Sequence, residues 1–255
     1  MQVVADTHVH LYDGYDMGAA LQQLSQRLAS FANDTCHLAA CLTERNECNV
    51  FETLRDGTLS LAGLDMSVGD DPAAMQLRGQ HTLNLYSGFQ IITKERLEVL
   101  ALVCATRIPD GQDLDVTIEA VRAAGGIPVL PWSPGKWCGT RGDAIKRVLT
   151  NAKSGHLCIG DTAMRPAGLP KPCLFKRAHK NNISCLAGTD PLPFAGDETI
   201  MGTYISAWDS RSGQDVITTD HFRDLLVNHT PQTRGNRNNV VQSVRRWISN
   251  ARSKS

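Results

Sequence analysis

Short apolar runs alternate along the chain with longer segments whose apolar residues recur at helical spacing. Runs of four to eight apolar and β-branched residues predict buried strands, and apolar residues three to four positions apart predict helices. Residues 58–80 are rich in Gly and Asp and predict loops or a small hairpin. The predicted strands are 3–10, 36–42, 82–93, 97–105, 127–130, 157–161 and 184–190. The strands at 82–93 and 97–105 form either a hairpin or a barrel strand with an edge strand. The predicted helices are 17–31, 49–55, 113–124, 142–152, 173–181, 220–227 and 240–251.

This alternation of strands and helices is typical of a parallel α/β architecture. A chain of 255 residues is long enough for one large domain with a full core, and an α/β barrel often has this size. We therefore predict a single domain over residues 1–255 that closes with a C-terminal helix at about residues 238–252.

The charge and the cysteine content indicate which partners and which compartment to expect. The formal net charge is zero, which predicts no general attraction to nucleic acid or to an anionic membrane. Eight Cys are scattered without a C-x-x-C pair, so we expect reduced thiols and a cytoplasmic protein rather than a disulfide framework. No stretch approaches the length of a transmembrane helix, and the N-terminal apolar run is too short for a signal peptide.

The first predicted strand ends in a group of side chains that bind metals. Alternate residues of an extended strand point to the same face, so Asp6, His8 and His10 are expected to project together. Two imidazoles at this spacing can share one cation, with the carboxylate as a third ligand or as an orienting partner. The alternative is an N-terminal strand whose two His are merely polar and exposed.

Other predicted strands also end in polar residues. The carboxyl ends of barrel strands converge on one face, where active sites lie. Asp161 precedes Arg165 and favours a structural ion pair, whereas Asp190 closes the last predicted strand. The remaining ends carry Glu44 and the loop at residues 132–137, in which Lys136 lies between two Trp. This loop either borders a ligand or is simply packed.

Several of these segments, taken in order, resemble the motifs of the PHP family (polymerase and histidinol phosphatase-like metal-dependent hydrolases), which is close to the amidohydrolases. The first motif, Asp-x-His-x-His, is intact at residues 6–10, and four further segments resemble later motifs. These segments are Leu42-Thr43-Glu44-Arg45, Gly88-Phe89-Gln90-Ile91, residues 125–134, and Ala187-Gly188-Thr189-Asp190-Pro191-Leu192. The turn Met201-Gly202-Thr203-Tyr204 matches the Gly-Thr/Tyr turn that often follows them. The resemblance implies a distorted (β/α)7–8 TIM-like barrel, a cluster of up to three metals and cleavage of phosphate esters.

The later motifs lack most of the family's metal ligands. Glu44-Arg45 stands where Asp-His is expected, and Gln90 replaces the bridging Glu. Trp132 or Ser133 takes the place of one His, and Leu192 takes the place of another. Because neutral Gln cannot replace a bridging carboxylate and Arg45 adds a positive charge, we expect no trinuclear cluster.

His8, His10 and Asp190 remain, and they are sufficient for one divalent ion, Zn or Mn, per chain. The leading hypothesis is a hydrolase in which water activated by this ion attacks a phosphoester or an amide of a small-molecule substrate, possibly phosphorylated. Glu44 or Asp190 then takes the proton, and Lys136 or Arg45 stabilises the developing negative charge.

Three questions stay open at this point. Glu44 is a fourth metal ligand, a general base, an ion-pair partner of Arg45 or a residue at a surface strand end. The missing ligands favour a catalytically weakened protein that binds a ligand or a partner without turnover. A mononuclear amidohydrolase acting on C–N bonds would use the same His8, His10 and Asp190.

Overall fold

The computed structural model describes residues 1–33, 36–209 and 217–252, which form twelve strands and seven helices. The strands are β1 (Gln2–Val9), β2 (Cys36–Leu42), β3 (Asp65–Val68), β4 (Ala74–Arg78), β5 (Thr82–Tyr86), β6 (Gly88–Ile92), β7 (Glu98–Leu102), β8 (Ile127–Pro131), β9 (Cys158–Thr162), β10 (Cys185–Gly188), β11 (Tyr204–Asp209) and β12 (Gln232–Gly235). The helices are α1 (Met17–Ser30), α2 (Val50–Arg55), α3 (Leu114–Ala123), α4 (Gly139–Asn151), α5 (Cys173–Lys180), α6 (Thr219–Asn228) and α7 (Val240–Arg252), with a 3₁₀ turn at Asp197–Ile200.

The strands form two mixed sheets. The first has the order β12-β11-β1-β2-β5-β4-β3, and the second has the order β10-β9-β8-β7-β6. Antiparallel pairs occur in both, among them β1 with β11 and β6 with β7. The described strands therefore do not form one continuous parallel ladder, and the predicted closed TIM-like barrel is not confirmed. The coarser prediction of an α/β fold is confirmed.

The two sheets approach each other at two places. Beside β6, the Glu44 amide donates to the Gly88 carbonyl at 2.9 Å, and the Gln90 amide donates to the Glu44 carbonyl at 2.8 Å. Beside β10, the Asp190 amide donates to the His8 carbonyl at 2.9 Å. These contacts bring the ends of β1, β2, β6 and β10 into one region.

The predicted strand at residues 82–93 is two strands in the structure. β5 belongs to the first sheet and β6 to the second, and the chain crosses between them at Ser87 and Gly88. A Cβ at Gly88 would lie 2.4 Å from the Leu42 carbonyl oxygen and 2.5 Å from that of Ala101. Glycine therefore permits the close approach at the crossing, and the strand-like pattern that continues on both sides concealed the break.

Among the described residues, the core has three large apolar clusters, which follow from two-sided burial of the central strands. One apolar cluster lies between the first sheet and α1, and another lies between the second sheet and α3, α4 and α5. A third cluster lies between the two sheets and includes Val3, Ala5, Leu100, Cys158 and Phe222. Among the described residues, no helix combines the length and the apolar content needed to cross a membrane.

Candidate metal centre

A bulge in β1 determines which side chains reach the site. Val4 and Val9 pack in the same apolar cluster although they are five residues apart, a spacing that would put them on opposite faces of a regular strand. The register of β1 against β2 shifts between Asp6 and Val9, so the alternation of faces reverses there. As a result, His8 and His10 no longer share a face with Asp6.

Asp6 is buried and binds the backbone instead of joining the two His. Its carboxylate accepts hydrogen bonds from the backbone amides of Thr189 at 3.0 Å, Gly202 at 2.9 Å and His8 at 3.2 Å, and from the Thr189 hydroxyl. Burial raises the pKa of Asp6 to about 6, and these hydrogen bonds act in the opposite direction. The expectation that Asp6 projects together with the His was therefore wrong, because the bulge turns it toward the β10 loop.

His8, His10 and Asp190 come together across the join between the sheets. The two Nε2 atoms are 3.1 Å apart, and they lie 3.5 Å and 3.6 Å from the same oxygen of Asp190. Asp190 adopts a left-handed backbone conformation with φ of 55°, which few residues other than Gly, Asn and Asp tolerate. This conformation turns its carboxylate back toward β1 directly after β10 ends.

The triangle of donor atoms fits a tetrahedral divalent ion. Donors placed ~2.1 Å from such an ion lie ~3.4 Å from one another, and the three observed separations are 3.1, 3.5 and 3.6 Å. Two imidazoles and one carboxylate are also a donor set that suits zinc and other transition metals. The chemistry and the spacing of this group therefore meet the requirements of a mononuclear site.

The electrostatics keep the two imidazoles neutral at physiological pH. Burial lowers the pKa of His8 to about 4, against the opposing charge of Glu98. Burial and the neighbouring His8 lower the pKa of His10 to about 3, against the carboxylates of Asp190 and Glu98. Burial raises the pKa of Asp190 to about 6, and His10 partly counters this effect. A neutral imidazole is the form that binds metal, so only Asp190 holds a competing proton just below neutral pH.

The group opens into a cavity of about 280 Å³. Arg45 and Lys136 lie in its wall together with Tyr12, whose ring stacks on His10 with centroids 5.6 Å apart. Arg45 pairs with exposed Glu47 at 2.8 Å. An outer groove of about 750 Å³ shares the walls formed by Tyr12, Arg45 and Pro193.

Sequence reasoning missed Glu98, which also lines the cavity. Its carboxylate accepts hydrogen bonds from Lys136 Nζ at 2.5 Å and from the Ser133 hydroxyl at 2.6 Å, and Gln90 Nε2 lies 3.4 Å away. Burial acts to raise the pKa of Glu98, but the Lys136 ammonium and the two hydrogen bonds bring it below its usual value. Glu98 begins β7, which is antiparallel to β6, so the first residue of β7 lies at the same end as the last residues of β6. A search restricted to the carboxyl ends of strands could not find it.

Glu44 lies outside the wall of this cavity. One oxygen accepts a 2.7 Å hydrogen bond from the Phe51 amide in the first turn of α2, and the other lies 3.4 Å from Arg107. Burial raises the pKa of Glu44, and these contacts oppose the rise. Asp161 forms the expected ion pair, in which two nitrogens of Arg165 contact its two oxygens at 2.7 and 2.6 Å.

Comparisons with known proteins support the fold. No family model matches the chain, and no curated protein sequence matches it. The crystal structure of PsfC from Pseudomonas syringae PB-5123 is similar with a TM-score of 0.62 and 20% identity, over 99% of this chain and 97% of that one. A two-domain protein from Bacteroides vulgatus, described as containing a predicted PHP-like metal-dependent phosphoesterase, gives 0.53 and 13%, over 98% and 70% of the two chains.

The lesion-specific endonuclease Q from Pyrococcus furiosus is also similar. Its TM-score is 0.57 with 11% identity, and the match covers 89% of this chain but only 56% of the endonuclease. At these identities the likenesses establish the fold, which is PHP-like. The resemblance noted in the sequence is confirmed to that extent.

The expected lack of a nucleic-acid partner was wrong. An endonuclease Q of this fold, with a TM-score of 0.52 and 10% identity, is in complex with a 27-mer DNA duplex that carries an abasic lesion. The expectation had rested on a net charge of zero. Net charge averages over the whole surface and does not exclude a local nucleic-acid site on this fold.

Proposed function

We propose that this protein is a metal-dependent hydrolase of PHP-like type that cleaves phosphoesters, with one divalent ion held by His8, His10 and Asp190. The observation that carries the proposal is the triangle of donor atoms with sides of 3.1, 3.5 and 3.6 Å. The likeness to a protein described as a PHP-like metal-dependent phosphoesterase supports the choice of ester.

The bound ion would supply Lewis acidity, which lowers the pKa of water and polarises the ester. The chain's own residues would accept the proton and stabilise the developing negative charge. We assign proton acceptance to Asp190, because of the two candidate carboxylates it is the one that lines the cavity. Glu44 was the other candidate, but its two oxygens face the Phe51 amide and Arg107.

Lys136 and Arg45 supply the positive charge in the cavity wall. Developing negative charge on the phosphoryl oxygens would be stabilised there, because a cation in a partly buried site is little screened by water. Lys136 is also positioned by Glu98, which fixes its ammonium at 2.5 Å.

A binding protein without turnover is the second candidate, and His8 favours it. The Nδ1 atom of His8 is buried and has no hydrogen-bond partner among the described residues. Metal-bound His side chains usually donate a hydrogen bond from the N–H of this second nitrogen to an acceptor. Loss of that acceptor weakens metal binding or activity about 10- to 100-fold. A weak site would bind an ion or an anion without efficient chemistry.

Metal analysis and turnover separate the two candidates. Protein purified without added metal is analysed for bound ions and assayed with p-nitrophenyl phosphate, bis-p-nitrophenyl phosphate and a DNA duplex. The hydrolase should carry about one equivalent, and this equivalent and the turnover should both be lost in the His8→Ala/His10→Ala double variant. His179→Ala, on the exposed end of α5, is the matched control and should retain both. A wild-type protein without turnover of any ester in the panel would contradict the hydrolase.

A further inference from the structure

Helix α7 presents its polar side to the protein and its apolar side to solvent. Ser243 and Arg246 are buried, whereas Val241, Val244 and Ile248 are 59%, 40% and 48% exposed. An ordinary surface helix has the reverse arrangement. Polar contacts on its inner side, rather than burial of an apolar stripe, must therefore hold α7 in place.

Arg246 provides these contacts and reaches the candidate metal centre. Its Nε and Nη2 bind the two oxygens of Asp197 at 2.8 and 2.7 Å, and Nη2 also donates to the Asp190 carbonyl at 2.8 Å. A bidentate pair of this kind fixes direction as well as distance. The position of α7 and the backbone of Asp190 are thus joined by one guanidinium.

The next residue, Trp247, lines the same cavity as His10, Lys136 and Asp190. Its indole Nε1 is buried and has no hydrogen-bond partner among the described residues. An indole N–H is a donor only, and leaving a buried donor unpaired is unfavourable. An oxygen of a bound molecule would relieve this cost.

We propose that Trp247 is a substrate-binding residue whose indole N–H donates to a phosphoryl oxygen of the ester in this cavity. The proposal rests on the proposed phosphoester hydrolysis and adds the donor that recognises the substrate. Arg246 is a positioning residue, because it sets α7, and with it Trp247, relative to Asp190. Lys136 and Arg45 supply charge in the same wall, whereas Trp247 supplies a neutral donor of fixed direction.

Trp247→Phe tests the donor, because phenylalanine keeps an aromatic ring but lacks the N–H. We expect KM for p-nitrophenyl phosphate and the inhibition constant of inorganic phosphate to rise about tenfold, with the metal content unchanged. Trp208→Phe is the matched control: it also removes one indole N–H, but that N–H donates to the His229 carbonyl at 3.0 Å, and Trp208 packs between the sheets. Unchanged constants in the Trp247 variant, or an equal rise in the Trp208 variant, would overturn the proposal.

Arg246→Met tests the positioning role. We expect weaker Mn²⁺ binding together with a higher KM, whereas Arg246→Lys should recover part of both; a merely structural role would change stability alone. Arg245→Met, at an exposed position of the same helix, should change neither. If the Arg246→Met variant does not fold, the Trp247→Phe measurements decide whether the indole N–H binds the substrate.

Calorimetric titration of inorganic phosphate in the presence of Mn²⁺ separates failure of this inference from failure of the proposed function. A wild-type protein that lacks turnover but binds phosphate more tightly than its Trp247→Phe variant would overturn the hydrolase and support Trp247 as an oxyanion donor. A wild-type protein that turns over esters, with phosphate binding equal in the two proteins, would overturn the role of Trp247 alone.

Discussion

Gly188, the last residue of β10, gives the most direct test of how the candidate metal centre is built. A Cβ at this position would lie 2.5 Å from the Cβ of His8 and 2.6 Å from its backbone nitrogen. Neither atom is the end of a flexible side chain, so the Gly188→Ala substitution must move β10 away from β1. Ordinary contact at ~3.5 Å requires a displacement of about 1 Å.

This displacement has two measurable consequences. Overpacking against a backbone typically costs ~1–3 kcal/mol of unfolding free energy, and we expect the upper end because His8 is anchored in the centre of the sheet. Asp190 follows Gly188 by two residues and would move with it. Because metal–ligand distances in proteins are held to about ±0.2 Å, a shift of ~1 Å should remove Asp190 from the ligands and lower metal affinity at least tenfold.

Urea denaturation and chelator competition with Zn²⁺ measure the two effects. Gly14→Ala is the matched control, because a Cβ there would meet nothing within 4 Å, and it should change stability by less than ~0.5 kcal/mol. A Gly188→Ala protein that is as stable as the control and binds Zn²⁺ equally well would refute the close packing of β10 on β1.

Three further predictions follow from the buried charges. Zn²⁺ affinity should fall about tenfold between about pH 7 and about pH 5, because a proton binds Asp190, whose pKa is about 6, while the two imidazoles stay neutral. Titration calorimetry that shows a loss near a thousandfold would mean that both imidazoles titrate normally. Asp161→Asn should lower the unfolding free energy by ~3–5 kcal/mol, since it leaves the buried guanidinium of Arg165 unpaired, and a change below ~1 kcal/mol in urea denaturation would contradict a buried pair. Glu44→Gln should cost ~1 kcal/mol by weakening the contact with Phe51 in α2 and leave metal content unchanged, whereas a large loss of turnover in a stable protein would restore Glu44 as a general base.

The sequence was sufficient for the parts of the fold and site that depend on local pattern. Buried strands and amphipathic helices follow from periodicity, and α1 at Met17–Ser30 nearly matches its predicted range. The polar residues at the end of β1 and after β10 were identified as candidate ligands, and the structure brings His8, His10 and Asp190 together. Their role as ligands, the single-domain organisation and the cytoplasmic location stay predictions.

Features that depend on long-range pairing could not be derived in this way. The bulge in β1 adds one residue and reverses the alternation of faces, which removes Asp6 from the group. No local signal shows that β5 and β6 belong to different sheets or that β11 pairs antiparallel with β1. The antiparallel pairing of β6 with β7, which places Glu98 beside Gln90, agrees with the hairpin that was one of two alternatives for these strands, and the sequence alone did not decide between them.

Gln90 and Glu98 lie side by side on the paired strands β6 and β7, which bears on the carboxylate that the Gly-x-Glu pattern lacks in this chain. The carboxylate expected in the Gly-x-Glu motif is absent at position 90, yet a carboxylate on the neighbouring strand contacts the Gln90 amide at 3.4 Å and lines the same cavity. A reversed neighbouring strand can thus restore negative charge that the motif has lost, although the two side chains are eight positions apart in the chain. A comparison made motif by motif would count Gln90 as a lost carboxylate and would not detect Glu98, because only the pairing of β6 with β7 brings the two positions together.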